Sequence, residues 1–218
     1  MSELMIQDKE PVKVVLLGLD LGQFDADRSM EELSALCEAN GMEAVAQIVQ
    51  RRAAPEAGTL LGEGKLEEAK LYCQNLGAEA AIFDGELSGS QIRNLSERLD
   101  VEVLDRTMLI LEIFRSRAVT NEGKVQTELA MLRYRLPRLQ GLGESLSRQG
   151  GGGGGGGGAR RGAGESKLEY DRRHIHRRIE ALEQKLTELE KRRGENRRAR
   201  QKAGTPVISL VGYTNVGK

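Results

Sequence analysis

The sequence has few of the residues that crosslink or anchor a protein: its 218 residues include two cysteines, no tryptophan and only seven phenylalanines and tyrosines. Cys37 and Cys73 lie 36 positions apart without a CxxC motif, which excludes a disulfide framework and favours two buried, reduced thiols. No apolar run approaches the ~18 residues that span a bilayer, and the first residues lack the basic and apolar stretches of a signal peptide. We therefore expect a soluble, cytoplasmic protein with no membrane span.

The net charge is zero because two oppositely charged halves cancel. Residues 1–106 contain 10 basic and 21 acidic residues, whereas residues 107–218 contain 23 basic and 12 acidic residues. This split indicates two modules with different partners. The basic half suits a polyanion, because each lysine or arginine placed near a phosphate releases condensed counterions. The alternative interpretation is a solvated helical surface that is stabilised by ion pairs between neighbouring turns.

The acidic half alternates strand-like and helix-like segments. In chain order they are a strand at 12–19, a helix at 29–40, a strand at 42–50, a helix at 64–77, a strand at 80–85, a helix at 88–100 and a strand at 101–106. This alternation is typical of parallel βαβ units, and the continuously apolar strands fit a sheet that is covered on both faces. We predict a small parallel-sheet α/β domain over residues 12–106, after an N-terminal tail at 1–11.

The basic half has helical periodicity. Residues 107–120 predict an apolar helix that packs on the first domain, and two later apolar series each have the 4, 3, 4, 3 spacing of a coiled-coil seam. The first series is Val125, Leu129, Leu132, Leu136 and Leu139, and the second is Ile175, Ile179, Leu182, Leu186 and Leu189. Two equal seams joined by a loop predict a long antiparallel α-helical hairpin within residues 107–204.

A glycine-rich segment at 141–165 separates the two seams and contains nine consecutive glycines at 150–158. It is longer than a connection between two helices needs, and its bare backbone can approach another backbone closely. We interpret it as a functional tip loop, with an inert linker as the alternative. The residues predicted to bind RNA flank these glycines or begin the second helix: Arg148, Arg160, Arg161, Arg172, Arg173, Arg177 and Arg178.

The chain ends on VISLVGYTNVGK, an apolar strand-like run followed by Gly212, four residues, Gly217 and Lys218. The pattern GxxxxGK directly after a strand is typical of a phosphate-binding loop, in which backbone N–H groups and the lysine hold phosphates and the next Ser or Thr binds Mg²⁺. We predict that residues 205–218 form the first strand and phosphate loop of a nucleotide-binding domain that continues beyond Lys218. The residues alone leave GTP and ATP open, because the base-specifying motif is not in this segment.

No catalytic or metal-binding residue is predicted within the chain. Asp84 and Glu86 lie at the C-terminal end of a predicted strand, where α/β folds place catalytic groups, but no histidine or cysteine lies nearby in sequence, so we interpret them as turn and cap residues. His174 and His176 lie two positions apart and therefore point to different faces of a helix, which does not suit a shared metal. We expect that this chain alone does not bind nucleotide tightly or hydrolyse GTP.

Three long segments resemble the N-terminal region of HflX-type GTPases: FDGELSGSQIRNL, VLDRTMLILEIFRSRAVTNEGKVQTELAMLRYRLPRL and GESKLEYDRRHIHRRI, followed by the terminal VISLVGYTNVGK. The resemblance runs from about residue 12 to the end. It implies an α/β subdomain and a helical hairpin that precede a Ras-like G domain. The loop departs from the GGxGxRGPGE-like pattern of that family, because Ala163 occupies the proline position and glycines fill most of the loop.

The resemblance also implies a function. Members of this family bind the large ribosomal subunit and split stalled ribosomes in the GTP-bound state, with the hairpin and its loop reaching ribosomal RNA near the peptidyl transferase region. It implies GTP and Mg²⁺ as cofactors of the full-length protein, which we expect to be a monomer. By the match to the phosphate-loop motif, the nucleotide-binding residues are Gly212, Tyr213, Thr214, Asn215, Val216, Gly217 and Lys218.

Two other classes of function fit the residues. An autonomous RNA-binding or scaffold protein, in which the terminal GxxxxGK is accidental, would need only the basic half. An ATP-dependent enzyme with a phosphate-binding loop would share the terminal motif. A Ser or Thr after Lys218, followed by DxxG and NKxD motifs, would identify the GTPase.

Overall fold

The computed structural model describes residues 10–149, 158–204, 206, 208–209 and 211–212. The elements, in chain order, are β1 (Val12–Asp20), α1 (Ala26–Ala39), β2 (Met42–Arg51), α2 (Glu63–Leu76), β3 (Ala80–Phe83), α3 (Gly89–Leu99), β4 (Glu102–Asp105), α4 (Arg106–Arg117), α5 (Asn121–Gln149) and α6 (Gly158–Lys202). The predicted α/β domain followed by a long helical hairpin is confirmed.

The four strands form one parallel sheet in the order β2-β1-β3-β4. The central strand β1 is apolar on both faces, and residues 14–17 in it are fully buried. One face packs against α1 and α4 through Met30, Leu33 and Leu109, and the other packs against α2 and α3 through Leu66 and Leu95. The domain is therefore a three-layer α/β/α sandwich, as continuously apolar parallel strands require.

Both cysteines are buried and free, one in each of the two apolar layers. Burial, with a smaller contribution from the neighbouring charge of Glu38, raises the pKa of the Cys37 thiol to about 11. Burial likewise raises the pKa of Cys73. Both thiols therefore stay protonated near neutral pH and act as small apolar core residues.

The two predicted seams meet through their first four residues each, without Leu139 and Leu189. Val125 and Leu129 of α5 and Ile179 and Leu182 of α6 form a buried cluster, and Leu132, Leu136, Ile175 and Leu186 pack against it. The ion pairs between the helices run in opposite directions along the chain: Glu122 pairs with Arg193, and Arg133 pairs with Glu183, which lies earlier in α6. The helices are thus antiparallel.

Both helices extend into the segment predicted as a tip loop at 141–165, because α5 continues to Gln149 and α6 begins at Gly158. Once a helix exists, each added residue gains a hydrogen bond, so two long helices propagate into flanks that contain glycine. Residues 150–157 lie outside the described part of the chain. The described residues between 206 and 212 form no strand, since no neighbouring strand in the described part of the chain pairs with them.

Candidate functional site

The predicted phosphate-binding residues fall almost entirely outside the described part of the chain. Gly212 is described and lies exposed, beyond the end of α6. Tyr213, Thr214, Asn215, Val216, Gly217 and Lys218 are among the residues that the structure does not describe. The assignment of a nucleotide site to residues 212–218 stays a prediction.

The three arginines beside the glycine run are placed only by their backbone. Arg148 lies in the last turn of α5, and Arg160 and Arg161 lie in the first turn of α6. Their side chains are outside the described part of the structure, so their role in RNA binding also stays a prediction.

The remaining four predicted arginines lie on α6 around Ile175 and Ile179, which face α5. Successive residues of a helix are 100° apart, so Arg173 and Arg177 share the face turned away from α5, whereas Arg172 and Arg178 flank the seam. The four side chains therefore do not form one patch. All four lie on the exposed surface of the helix.

Acidic residues partly neutralise this group of arginines. Arg172 and Arg173 both lie within 4 Å of the Glu169 carboxylate, at 3.7 and 3.4 Å. Arg178 donates to Glu128 of α5 at 2.7 Å, and this hydrogen bond raises the pKa of Arg178 further. Arg178 therefore holds the two helices together, while Arg173 and Arg177 present their charge outward.

A larger basic surface lies at the C-terminal end of α6. Residues 191–202 contain seven basic side chains and one acidic side chain, Glu195, and every residue from 191 to 202 is exposed. Arg193 bonds Glu122 of α5 at 2.7 Å. This run of charge is present in the sequence, but it lies about 30 residues beyond the glycines, outside the residues predicted to bind RNA. We define the basic surface as Lys191, Arg192, Arg193, Arg197, Arg198, Arg200 and Lys202.

A second site, which sequence reasoning missed, joins the α/β domain to the hairpin at the end of β4. Asp105 is fully buried there. Its Oδ1 accepts a hydrogen bond from the Met108 N–H at 2.9 Å, and its Oδ2 accepts from the Leu87 N–H at 3.1 Å and from the Tyr134 hydroxyl at 2.6 Å. Arg138 lies 3.4 Å from Oδ2. One carboxylate thus connects β4, the loop after β3, the start of α4 and α5.

The sequence contains a local signal for one part of this site, the cap that Asp105 provides to α4. Asp105 precedes the apolar helix by one residue and caps its first turn, as an aspartate at this position commonly does. The contact with Tyr134 joins residues 29 positions apart, and no local pattern encodes it. The guanidinium of Arg138 lies 3.4 Å from the centre of the Tyr134 ring, so the arginine, the phenol and the carboxylate form one packed group.

Gly89 lets α3 lie directly against α5. A Cβ atom at this position would stand 1.9 Å from the backbone oxygen of Arg138. Gly89 is buried and follows Ser88, which caps α3 in a capping box with Gln91. The absence of a side chain at residue 89 therefore sets the distance between the α/β domain and the hairpin.

Asp84 lies in an ion-pair network at the carboxyl end of β3. Its side chain is 6% exposed and accepts from Arg106 at 2.8 Å, while Arg106 also donates to Glu32 and to the Ser29 hydroxyl, each at 2.9 Å. Burial lowers the pKa of Arg106, but the hydrogen bonds and charges of Asp84 and Glu32 outweigh it, so the net pKa is raised. Asp84 lies in a bend directly after β3, and through this network its side chain also ties α1, β3 and α4 together.

No group of three or more histidine, cysteine, aspartate or glutamate side chains in the described part of the chain is arranged to hold a metal ion. His174 and His176 are both exposed on α6. Within the same residues, no helix is both long enough and apolar enough to cross a membrane.

The phenol of Tyr134 gives the Asp105 site a pH dependence. Burial and the hydrogen bond to Asp105 raise the pKa of Tyr134 in the folded protein above its ordinary value of 10.0. Because the folded state holds this proton more tightly than the unfolded chain, the stabilisation is complete below pH ~10 and is lost as the pH rises from there towards the folded pKa. Between about pH 8 and 11, wild type should therefore lose more free energy of unfolding than Tyr134→Phe, measured by denaturant titration. If the free energy of unfolding fell equally with pH in both proteins, the hydrogen bond between Tyr134 and Asp105 would be contradicted.

The fold and the two sites together define a class: a parallel α/β domain that packs through Asp105 and Gly89 against a long basic helical hairpin. A family model described as "GTP-binding GTPase N-terminal" matches residues 27–115, and one described as "GTP-binding GTPase Middle Region" matches residues 117–200. The chain belongs to the HflX-type GTPase family, of which it represents the N-terminal and middle regions.

Individual relatives agree with this assignment. GTPase HflX of Caldanaerobacter subterraneus subsp. tengcongensis is 45% identical over 216 residues, which cover 99% of this chain and 49% of that protein. GTPase HflX of Lacrimispora saccharolytica is 47% identical, covering 100% and 51%, and GTPase HflX of Escherichia coli K12 is 43% identical, covering 89% and 45%. The chain spans about half the length of the curated relatives it matches.

Two solved structures share the fold. A crystal structure of SsGBP in complex with GDP has a TM-score of 0.62 and 21% identity, covering 94% of this chain and 49% of that chain. A GTP-binding protein from Sulfolobus solfataricus in complex with GDP has a TM-score of 0.57 and 23% identity, covering 82% and 46%. At this identity the likeness shows the architecture alone.

Proposed function

We propose that the chain is the N-terminal, ribosome-binding part of a GTPase that binds the large ribosomal subunit and uses GTP to split or rescue stalled ribosomes. The observation that carries this proposal is the HflX relationship along almost the whole chain. The exposed basic surface of α6 supports it independently, because a ribosomal subunit is a polyanion.

The nucleotide part of the proposal rests on the relatives and the terminal motif. Relatives that carry the name GTPase match this chain through its last residues, and two proteins of the same fold were crystallised with GDP. We propose that the backbone of residues 212–217 and the amine of Lys218 hold the GTP phosphates. In the full-length protein, a bound Mg²⁺ would supply positive charge beside the phosphates.

The RNA-binding part rests on length and charge. Helix α6 has 45 residues, and at 1.5 Å per residue it is about 68 Å long, so its two ends can contact distant points on a large particle. The basic surface at residues 191–202 and the outward arginines Arg173 and Arg177 present positive charge along this length. We propose that the glycine run with Arg148, Arg160 and Arg161 reaches ribosomal RNA near the peptidyl transferase region.

Charge reversal on α6 tests the RNA-binding part. Arg197→Glu with Arg198→Glu should weaken binding to large-subunit ribosomal RNA and lower the slope of log affinity against log salt by about 1.4–1.8, the share of two phosphate contacts. Fluorescence anisotropy with labelled RNA at four or more salt concentrations measures both quantities. The matched control is Arg28→Glu with Arg51→Glu, which changes the net charge equally on the α/β domain, at side chains that are 76% and 82% exposed.

The control separates a local contact from net charge. If both double variants lose affinity and slope equally, α6 has no special role and only the total charge of the protein matters. If neither variant changes the slope, RNA does not contact the basic surface, and the charge of α6 serves only to solvate the helix.

A further inference from the structure

The side of α6 that faces away from α5 carries an aromatic side chain among its basic residues. Tyr170 is 67% exposed, although the chain has only seven tyrosines and phenylalanines. Arg173, His174 and Arg177 follow Tyr170 by three, four and seven positions, and all three are exposed. Residues at these spacings lie on one side of a helix. We define the outer face of α6 as Tyr170, Arg173, His174 and Arg177.

The positive charges of the outer face are only partly neutralised by the protein itself. Arg177 has no ion pair among the residues that the structure describes, and Arg173 one turn before it is a like charge, which destabilises a helix. Glu169 lies 3.4 Å from Arg173, but the Arg173 side chain is still 66% exposed. Phosphates beside this face would relieve the repulsion between the two arginines.

The Tyr170 ring gives the outer face a property that charge alone does not supply. Bases of unpaired RNA stack on the flat rings of tyrosine and histidine and on the guanidinium planes of arginine. His174 lies one turn from Tyr170, so two rings and two guanidinium groups are neighbours on the helix surface. The bases of a duplex are already stacked on one another and do not offer their faces. The outer face is therefore suited to unpaired RNA.

The basic surface at residues 191–202 lacks this combination. It has seven basic side chains, but no aromatic residue lies among residues 191–202. Such a surface attracts phosphates, which single strands and duplexes both carry. The two parts of α6 therefore differ in what they can distinguish: the basic surface responds to charge, whereas the outer face responds to an accessible base as well.

We propose that the outer face of α6 binds an unpaired segment of RNA by base stacking. One base stacks on the ring of Tyr170 with His174 beside it, and Arg173 and Arg177 hold the adjoining phosphates. This inference rests on the proposed binding of α6 to ribosomal RNA, and it specifies that this part of the helix takes a single-stranded loop or bulge.

The test compares a labelled oligoadenylate with a labelled RNA duplex of the same strand length. Binding of each probe to the whole chain is measured by fluorescence anisotropy at several salt concentrations. Tyr170→Ala should weaken binding of the oligoadenylate about tenfold, because a stacked base is lost. Binding of the duplex should not change. The slope of log affinity against log salt should also stay the same, since tyrosine carries no charge.

Further variants separate stacking from apolar contact and from charge. Tyr170→Phe retains the ring and should bind like wild type, whereas Tyr170→Leu is apolar without a ring and should lose affinity as Tyr170→Ala does. Arg173→Gln with Arg177→Gln should lower the salt slope for the oligoadenylate by about 1.4, the share of two phosphate contacts on a single strand. The matched control is Tyr72→Ala on α2, a tyrosine that is 42% exposed, and it should bind like wild type.

Equal affinity of wild type and Tyr170→Ala for the oligoadenylate would overturn the proposal. So would full affinity in Tyr170→Leu, or an equal loss of duplex binding in Tyr170→Ala. In these cases RNA binding by α6 still stands if Arg197→Glu with Arg198→Glu weakens binding of both probes. If wild type binds neither probe, both the stacking and the RNA-binding part of the proposed function are wrong. A thermal melt of each variant confirms that it is folded during the measurement.

Discussion

Gly89→Ala is expected to lower the free energy of unfolding by about 3 kcal/mol or more, the upper range for overpacking. The added methyl carbon would stand 1.9 Å from the backbone oxygen of Arg138, and backbone cannot rotate away as a side chain can. Either α3 must shift in the α/β domain or the hairpin must move off it. Movement of the hairpin would also separate Tyr134 and Arg138 from Asp105, so the loss extends beyond one contact.

Denaturant unfolding measures this loss, and hydrogen exchange at the backbone amides of α3 and α5 locates it. The matched control is Gly194→Ala in α6, where a Cβ atom meets nothing within 4 Å. Alanine favours a helix interior over glycine, so the control should be more stable by about 0.5–1 kcal/mol. An unchanged unfolding midpoint for Gly89→Ala would show that α3 and α5 are not in close contact at residue 89.

Asp105→Asn is expected to destabilise the protein by about 3 kcal/mol, the scale for breaking a buried charged pair. The asparagine has nearly the same shape and can still accept from the Met108 N–H to cap α4. Its amide nitrogen is then directed at a position where Asp105 Oδ2 receives the Leu87 N–H and the Tyr134 hydroxyl. The amide nitrogen is itself a donor, so the Leu87 N–H and the Tyr134 hydroxyl lose their acceptor and stay unpaired in a buried site. Arg138 also loses the negative charge that it faces in wild type.

The control for this variant is Asp100→Asn, at the exposed C-terminal cap of α3. Residue 100 has φ of 60°, a left-handed conformation that asparagine tolerates well, so the change should stay within about 0.5 kcal/mol. In the double variant Asp105→Asn with Tyr134→Phe, the loss should be smaller than the sum of the single losses, because the two residues share one hydrogen bond. Strict additivity of the two losses would contradict the shared bond.

The elements of the α/β domain could be predicted from the sequence because local signals and burial agree there. The apolar runs at 12–19 and 42–50 end within a residue of the observed β1 and β2. The 4, 3, 4, 3 spacing of the seams identified the residues that meet in the hairpin, since the spacing is itself the geometric condition for packing.

The contacts that join the α/β domain to the hairpin could not be predicted in the same way. Asp105, Tyr134 and Gly89 come from three separate segments, and their contacts depend on how α5 crosses α3, which no local period encodes. The arginines of α6 are visible in the composition of the sequence. Their ion pairs with Glu128 and Glu169 depend on which face of α6 packs against α5, and the structure shows this. The charge in the sequence therefore indicated a basic second helix, and the structure adds that every residue from 191 to 202 of this helix is exposed.

The central claim, binding to the large ribosomal subunit through α6, is tested most directly by sedimentation of the chain with purified large and small ribosomal subunits at low and high salt. The account predicts that the chain pellets with large subunits at low salt, that high salt releases it, and that small subunits retain less. Arg197→Glu with Arg198→Glu should reduce pelleting, whereas Arg28→Glu with Arg51→Glu should not. A chain that stays in the supernatant with large subunits at low salt, or that pellets equally with both subunits and in both double variants, would contradict the claim.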